Sequence, residues 1–182
     1  MTFEKTVTLK DGRNCLLRNG VTSDGKAVLD VFNRTHEETD YLLTYSDENC
    51  FTASQEADFL QRKTDSTNTV EIIAIVDGVV AGTAGIDALG MRDKIKHRAV
   101  FRIAITKEFW GLGIGKSLME ACIECAREAG YLQLELEVVA ENERAVEMYK
   151  RAGFIEYGRN PKAVRLRTGE YQELIDMRLE LK

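Results

Sequence analysis

Gly111, Gly113 and Gly115 alternate with apolar residues in "WGLGIGKSLM" and run straight into Lys116 and Ser117. From Gly115 to Glu128, Leu118, Met119, Cys122, Ile123 and Ala126 recur at helical spacing, and Gly130 stands where a helix would stop. The strand-like run "RAVFRIAI" comes just before the glycines. A strand feeding bare backbone into a helix start presents unpaired N–H groups at the positive end of the helix dipole, and phosphate is the anion such a site suits. Glycine matters because a Cβ would hold the phosphate oxygens away and because some positions require positive φ.

Several phosphate loops are built this way. A P-loop needs G-x-x-x-x-G-K-[ST]; counting back from Gly115, the first glycine should fall where Trp110 stands. Starting from Gly111 leaves the loop one residue short, and no apolar strand ends in an aspartate suited to Mg²⁺. A dinucleotide fingerprint, G-x-G-x-x-G, differs from the G-x-G-x-G found here. Glu135 and Glu137 lie at about 20 residues' distance, where a ribose-binding acid belongs. The hairpins preceding the glycines, however, make their strand a poor first member of a parallel array. A plain strand-to-helix turn is the remaining reading.

The elements that must position this loop follow from periodicity. "KTVTLKDGRNCLLRN" reads as a hairpin about Asp11-Gly12, and "TVEIIAIV" and "VVAGTAGI" as another about Asp77-Gly78. A helix is expected from Ser23 to about Leu43, capped by Ser23 or Asp24, with Ala27, Val28, Val31 and Phe32 on its apolar face. Thr52 and Gln55 have capping-box spacing ahead of Phe59 and Leu60 and mark a second helix. "LQLELEVV" alternates strictly, Asn142 caps a short helix over Glu143 to Ala152, and "YQELIDMRLEL" follows a turn at Gly169. The whole of 1–182 reads as one α/β (α+β) domain.

The bulk properties agree. At 182 residues, 44% hydrophobic and 30% charged, the chain can bury a full core. A formal net charge of −5 with no dominant basic run argues against nucleic acid and is compatible with a cationic substrate. The charged N-terminus resembles no signal peptide and no run is long enough to cross a bilayer, so a cytoplasmic, membrane-free protein is expected. Cys15, Cys50, Cys122 and Cys125 read as reduced thiols, and the C-x-x-C pair lies inside a helix with no second pair to make a metal site.

Two motifs in order point to a family. "FRIAI" followed by "WGLGIGKSLM" resembles the coenzyme A motif Q/R-x-x-G-x-G/A of the GNAT superfamily of N-acetyltransferases, matched at Gly113 and Gly115, with Trp110 where Gln or Arg is usual. "NERAVEMYKRAGFIEYG" resembles the family's N-x-x-A-x-x-x-Y-x-x-x-G-F through Asn142, Ala145, Tyr149, Gly153 and Phe154. The resemblance is specific over 69–182. It implies a mixed, mostly antiparallel central sheet flanked by helices, whose strands "RAVFRIAI" and "LQLELEVV" splay apart to hold the pantetheine arm of acetyl-CoA.

It also implies roles. Backbone groups of Ile103, Ala104 and Ile105 would pair with the pantetheine. N–H groups of Trp110, Gly111, Leu112, Gly113, Ile114, Gly115 and Lys116 would hold the pyrophosphate, with Lys116 and Ser117 adding a charge and a hydroxyl. Asn142 would contact coenzyme A besides capping its helix, and Tyr149 would protonate the leaving thiolate. Acetyl-CoA is thus the expected co-substrate, with no metal, and the acceptor is an amine, small or on a protein. A homodimer fits the family. A catalytically idle acyl-CoA-binding or sensing protein of the same fold is the alternative.

The general base is not legible. Many relatives carry a Glu where this chain has Val100. Gln133, Glu135 and Glu137 share one strand face and offer acceptor recognition or proton removal, the competing expectation being a cross-strand ion pair with Arg102. His36 could line the acceptor site or be an ordinary surface histidine.

Overall fold

The computed structural model describes residues 1–181. The two expected hairpins form: β1 (Glu4–Thr8) with β2 (Asn14–Asn19), and β3 (Val70–Val76) with β4 (Val79–Ala88). Between them lie α1 (Gly25–Glu38) and α2 (Ala53–Asp65). After β4 come β5 (Arg98–Ile105), α3 (Ile114–Glu128), β6 (Gln133–Val139), α4 (Glu143–Arg151), β7 (Ile155–Arg165) and β8 (Tyr171–Glu180). All eight strands share one sheet, ordered β1-β2-β3-β4-β5-β6-β8-β7, and only β5 and β6 run parallel. The mixed, mostly antiparallel architecture is the expected one.

Each face has its own core. Ile114, Leu118, Cys122 and Ala126 of α3 fall at turn spacing and bury against Ile72, Ala84, Ile86 and Leu134 of the sheet. Each fully buried aliphatic side chain contributes about 2 kcal/mol. The opposite face is thinner: Val28 of α1, Leu60 of α2 and Ile73 of β3 form a small separate cluster. That side of the sheet carries polar and small residues instead.

Local chemistry sets the helix ends. Thr52 and Gln55 form the capping box of α2, Gln55 N donating to Thr52 Oγ1 at 3.3 Å and Thr52 N to Gln55 Oε1 at 2.8 Å. Gly130, at φ +80°, closes α3, and Tyr131 N reaches back to Ala126 O at 3.0 Å.

Helix α1 corrects two expectations. It stops at Glu38 rather than near Leu43, because Thr39 is extended (φ −158°, ψ 149°) and its hydroxyl accepts the N–H of Tyr41. The Asp24 side chain does not cap it either. That carboxylate accepts from Val21 N at 2.9 Å and pairs with Arg18 at 2.7 Å. The sole proline, Pro161, falls in edge strand β7, where an irregularity between Asn160 and Val164 removes the need for its missing N–H.

Candidate functional site

Strands β5 and β6 hold together over three residue pairs, ending at Val100↔Glu135. Beyond that point β5 stays on β4 as far as Ile105, while β6 stays on β8 as far as Val139. A slot therefore opens between two strands that each have a partner only on the outer side. His97 O accepts from Leu132 N and Gln133 N on the β6 side, so by strand alternation Ile103 and Ile105 also turn their N–H and C=O toward the slot. Ala104 turns its own toward Thr83 on β4. The Ile105 carbonyl is taken by the Trp110 indole N–H at 2.7 Å, which leaves Ile103 as the residue with both groups free for a ligand amide.

The loop that follows β5 forms the far end of the slot. Lys107–Phe109 makes one 3₁₀ turn, and Trp110 N donates to Lys107 O at 3.1 Å, so Trp110 contributes its ring rather than its N–H. None of the N–H groups from Gly111 to Lys116 meets a carbonyl elsewhere in the described chain. The first to do so is Ser117, 3.2 Å from Gly113 O. Gly113 occupies the N-cap of α3 at φ +100°, where an L side chain is strained. Gly115 also serves packing. A Cβ there would lie 3.2 Å from Met148 Sδ and 3.3 Å from Ile105 Cδ1, so its bareness lets α4 pack on the loop.

Lys116 is exposed and leans toward Glu120 at 3.6 Å, and Ser117 lies half-buried in the first turn. Leu112 and Ile114 face inward, and Lys10 N donates to Leu112 O at 3.1 Å. Arg144 is the positive charge at this loop that sequence reading passed over. Its guanidinium lies 6.0 Å from the Trp110 ring centre, and its Nη2 is 3.4 Å from where a Cβ on Gly111 would sit. It has no ion-pair partner among the described residues and so is free for an anion.

Asn142 caps α4, its Oδ1 accepting from Ala145 N at 3.3 Å. Two turns on, Tyr149 is 5% exposed, with its ring edge-on to Phe101 of β5 at 6.2 Å and tilted against Phe154 at 5.8 Å. Its hydroxyl has no protein partner, and it is not among the fully enclosed unpaired polar atoms, so it opens on accessible space. Burial pushes the phenol well above its ordinary pKa and keeps it protonated.

The acidic candidates separate. Glu135 is buried and meets Arg98 through two bonds, Nε to Oε1 at 2.5 Å and Nη2 to Oε2 at 2.7 Å. The ion pair expected with Arg102 is therefore made by Arg98, and Arg102 pairs instead with Asp87 at 2.9 Å. Glu137 is exposed, across from Asp176. His36 is fastened to its own helix, with Nδ1 2.7 Å from Phe32 O and its ring stacked on Phe32 at 3.8 Å.

Near the open end, the α1–α2 connection meets the β7–β8 turn. Arg167 N donates to Tyr45 Oη at 2.9 Å, its guanidinium lies 4.0 Å from the Tyr45 ring centre, and it pairs with Asp47 at 2.8 Å. A cavity of about 140 Å³ lies beneath this clasp. It adjoins, through Leu166, a depression lined by Glu141, Tyr171 and Gln172. Gln172 Oε1 is buried there without a partner.

The family model for "Acetyltransferase (GNAT) family" matches residues 28–154. The chain belongs to the GNAT acetyltransferase family. Among its GNAT relatives, the L-amino acid N-acetyltransferase AaaT of Escherichia coli is 32% identical over 112 residues, 61% of this chain and 68% of that protein. A GNAT-family acetyltransferase structure from Streptococcus pneumoniae superposes with a TM-score of 0.87 at 28% identity, covering 91% of this chain and 99% of that one. The structure of yncA from Salmonella typhimurium, described as a putative acetyltransferase with its cofactor acetyl-CoA, shares the fold with a TM-score of 0.82 at 17% identity, over 93% and 95%. Among the described residues no cluster of metal-ligating side chains occurs, and no helix is long and apolar enough to cross a membrane. Cys122 and Cys125 are buried thiols pushed up by desolvation, Cys125 to about 12, which makes them poor nucleophiles and poor ligands.

Proposed function

We propose that this GNAT protein transfers the acetyl group of acetyl-CoA to a primary amine by direct attack, with both reactants bound together. The observation that carries the reading is the slot: two strands that part after Val100 and Glu135, floored by the free backbone groups of Ile103, and running into the unbonded N–H groups of Gly111 to Lys116. A pantetheine amide matches the first and a pyrophosphate the second. Acetyl-CoA supplies an activated acyl carbon and a thiolate leaving group. Arg144 adds charge at the phosphate end, and Ile103 N–H is placed to donate to a thioester carbonyl in the slot, where developing negative charge needs a fixed donor. Tyr149, kept protonated by burial, gives its proton to the departing sulfur. Holding amine and thioester side by side removes the entropy of a bimolecular encounter.

The acceptor enters by the cavity beneath the Tyr45–Arg167 clasp, between the α1–α2 connection and the β7–β8 turn. The name of the E. coli relative makes the α-amines of L-amino acids the first acceptors to try. A second reading, an acyl-CoA-binding protein without turnover, is favoured by Val100 standing where many relatives carry their base. Calorimetric titration with acetyl-CoA, followed by thiol release with a panel of L-amino acids, separates the readings. Saturable binding with thiol release supports transfer. Binding without release from any amine leaves the acyl-CoA-binding reading, and no binding rejects both.

A further inference from the structure

The face of the sheet toward α1 and α2 holds a carboxylate that the site described above does not use. Glu71 on β3 is directly opposite Gly85 on β4, and Gly85 is directly opposite Arg102 on β5. A Cβ on Gly85 would overlap Glu71 Oε2, so the Glu71 side chain lies across the bare Cα of Gly85. Two strand spacings, about 10 Å, separate the backbones of Glu71 and Arg102, and a glutamate laid across the middle strand covers about half of that. Arg102 is the first residue on this face of β5 beyond Val100, where the slot opens. The Arg102 end of the row Glu71–Gly85–Arg102 thus borders the apex of the slot, and the Glu71 carboxylate lies one strand in from it, over Gly85. Tyr149 approaches the same apex from the opposite face, through Phe101.

The charges around Glu71 leave it unneutralised. Lys63 of α2, the nearest cation, is committed to Asp87 Oδ1 at 2.5 Å and Ile86 O at 3.2 Å. Asp87 is shared in turn with Arg102. Glu56 of α2 and Asp87 of β4 bring like charge, and the Thr83 hydroxyl gives modest support. No ion pair to Glu71 exists among the described residues. Glu71 is half-buried, and a structural carboxylate that loses this much hydration is normally paired.

We propose that Glu71 is the general base of the transfer, a role resting on the acetyltransferase reading above. The acceptor ammonium gives one proton to the Glu71 carboxylate, directly or across one water, and the freed amine attacks the thioester carbon. The C–N bond forms and the C–S bond breaks. The sulfur takes a proton from Tyr149, and the second proton of the original amine restores the phenol through solvent. Glu71 then releases its proton to water. Desolvation raises the Glu71 carboxyl to about 7, which makes it a far better proton acceptor near neutrality than an ordinary glutamate. The missing acid at Val100 is replaced from two strands away, with Gly85 leaving the path open.

The test pairs two readouts on the full chain. Infrared difference spectra between pH 5 and pH 9 should show a protonated carboxyl band titrating near 7 in the native protein and missing in Glu71→Gln. In thiol release with the L-amino acid that the native protein uses best, Glu71→Gln should lower kcat about 100-fold at pH 7, with a smaller deficit at pH 9.5, where more free amine is present. Glu71→Asp should keep part of the activity, and unchanged affinity for acetyl-CoA should show both variants folded. A Glu71→Gln protein with native kcat and pH profile, or an infrared band unaffected by the substitution, overturns the assignment while leaving acetyl transfer intact. Absence of turnover by the native protein with every amine overturns both.

Discussion

Arg98, in the first register pair of β5 with β6, and Glu135, in the last before the strands separate, form a two-bond ion pair. Glu135 is 7% exposed and both of its oxygens are engaged, so it acts as the pin of the slot rather than as a free base. The carboxylate in turn holds the Arg98 guanidinium above its usual pKa. Glu135→Gln leaves a charged Arg98 with a weaker acceptor, an intermediate case between exposed and buried ion pairs. The expected loss is about 2 kcal/mol, or about 6 °C in Tm for a chain of this size. Activity per folded molecule should change little. A large fall in kcat at temperatures where the variant stays folded would mean that Glu135 meets substrate after all.

Tyr149→Phe keeps the ring that packs against Phe101 and Phe154 and removes only the hydroxyl. Turnover should fall about 100-fold, the ordinary worth of a placed proton donor. Acetyl-CoA affinity and melting temperature should stay within error. Because the phenol is raised above its normal value, the native protein should show no loss of the acid on the alkaline side of its pH profile up to pH 9. Equal kcat for native protein and variant would assign the proton delivery to water.

The Arg144 guanidinium beside Gly111 predicts a binding effect without a chemical one. Arg144→Ala should weaken acetyl-CoA by about fivefold, near 1 kcal/mol, and the difference should shrink in high salt as screening removes it. The same change at Lys116, which is exposed and leans toward Glu120, should do less. Comparable losses at both positions would spread the phosphate charge over α3 as a whole.

These residues differ in how far the sequence reveals them. The glycine loop, the Thr52–Gln55 box and the Asn142 cap depend on neighbours within four positions, so local pattern suffices. The end of α1 is not legible in the pattern, because the apolar residues continue to Leu43 while Thr39 breaks the backbone. Arg98 and Arg102 share a strand face, and only the parallel register of β5 with β6 chooses between them; no turn joins those strands to fix it. Glu71 was hidden by a bulge. A two-residue hairpin at Asp77-Gly78 pairs Val76 with Val79 and Ile75 with Val80, and continued unbroken it would set Glu71 opposite Ala84, a core residue. The irregularity between Ala74 and Ile75, where β4 carries Ala81 as an extra residue, moves the register by one, so that the bare Gly85 rather than Ala84 lies opposite Glu71 on the face it shares with Ile73 and Ile75.

Glu71 also leaves a thermodynamic mark that needs no acceptor. Its carboxyl titrates near 4.5 when exposed and near 7 in the folded protein, so between those values the folded state holds a proton that the unfolded chain has released. Stability must then fall as pH rises through that window, and the whole penalty is present above about 7. Glu71→Gln removes this contribution, while the other carboxylates cancel in the comparison. Urea melts at pH 5, 6, 7 and 8 should therefore show the variant gaining on the native protein with each step up to pH 7 and levelling afterwards. A difference that stays flat across the window would mean an ionised Glu71 at every pH, stabilised by a cation or by water, and the carboxyl would then lack the basicity that proton removal at neutrality requires.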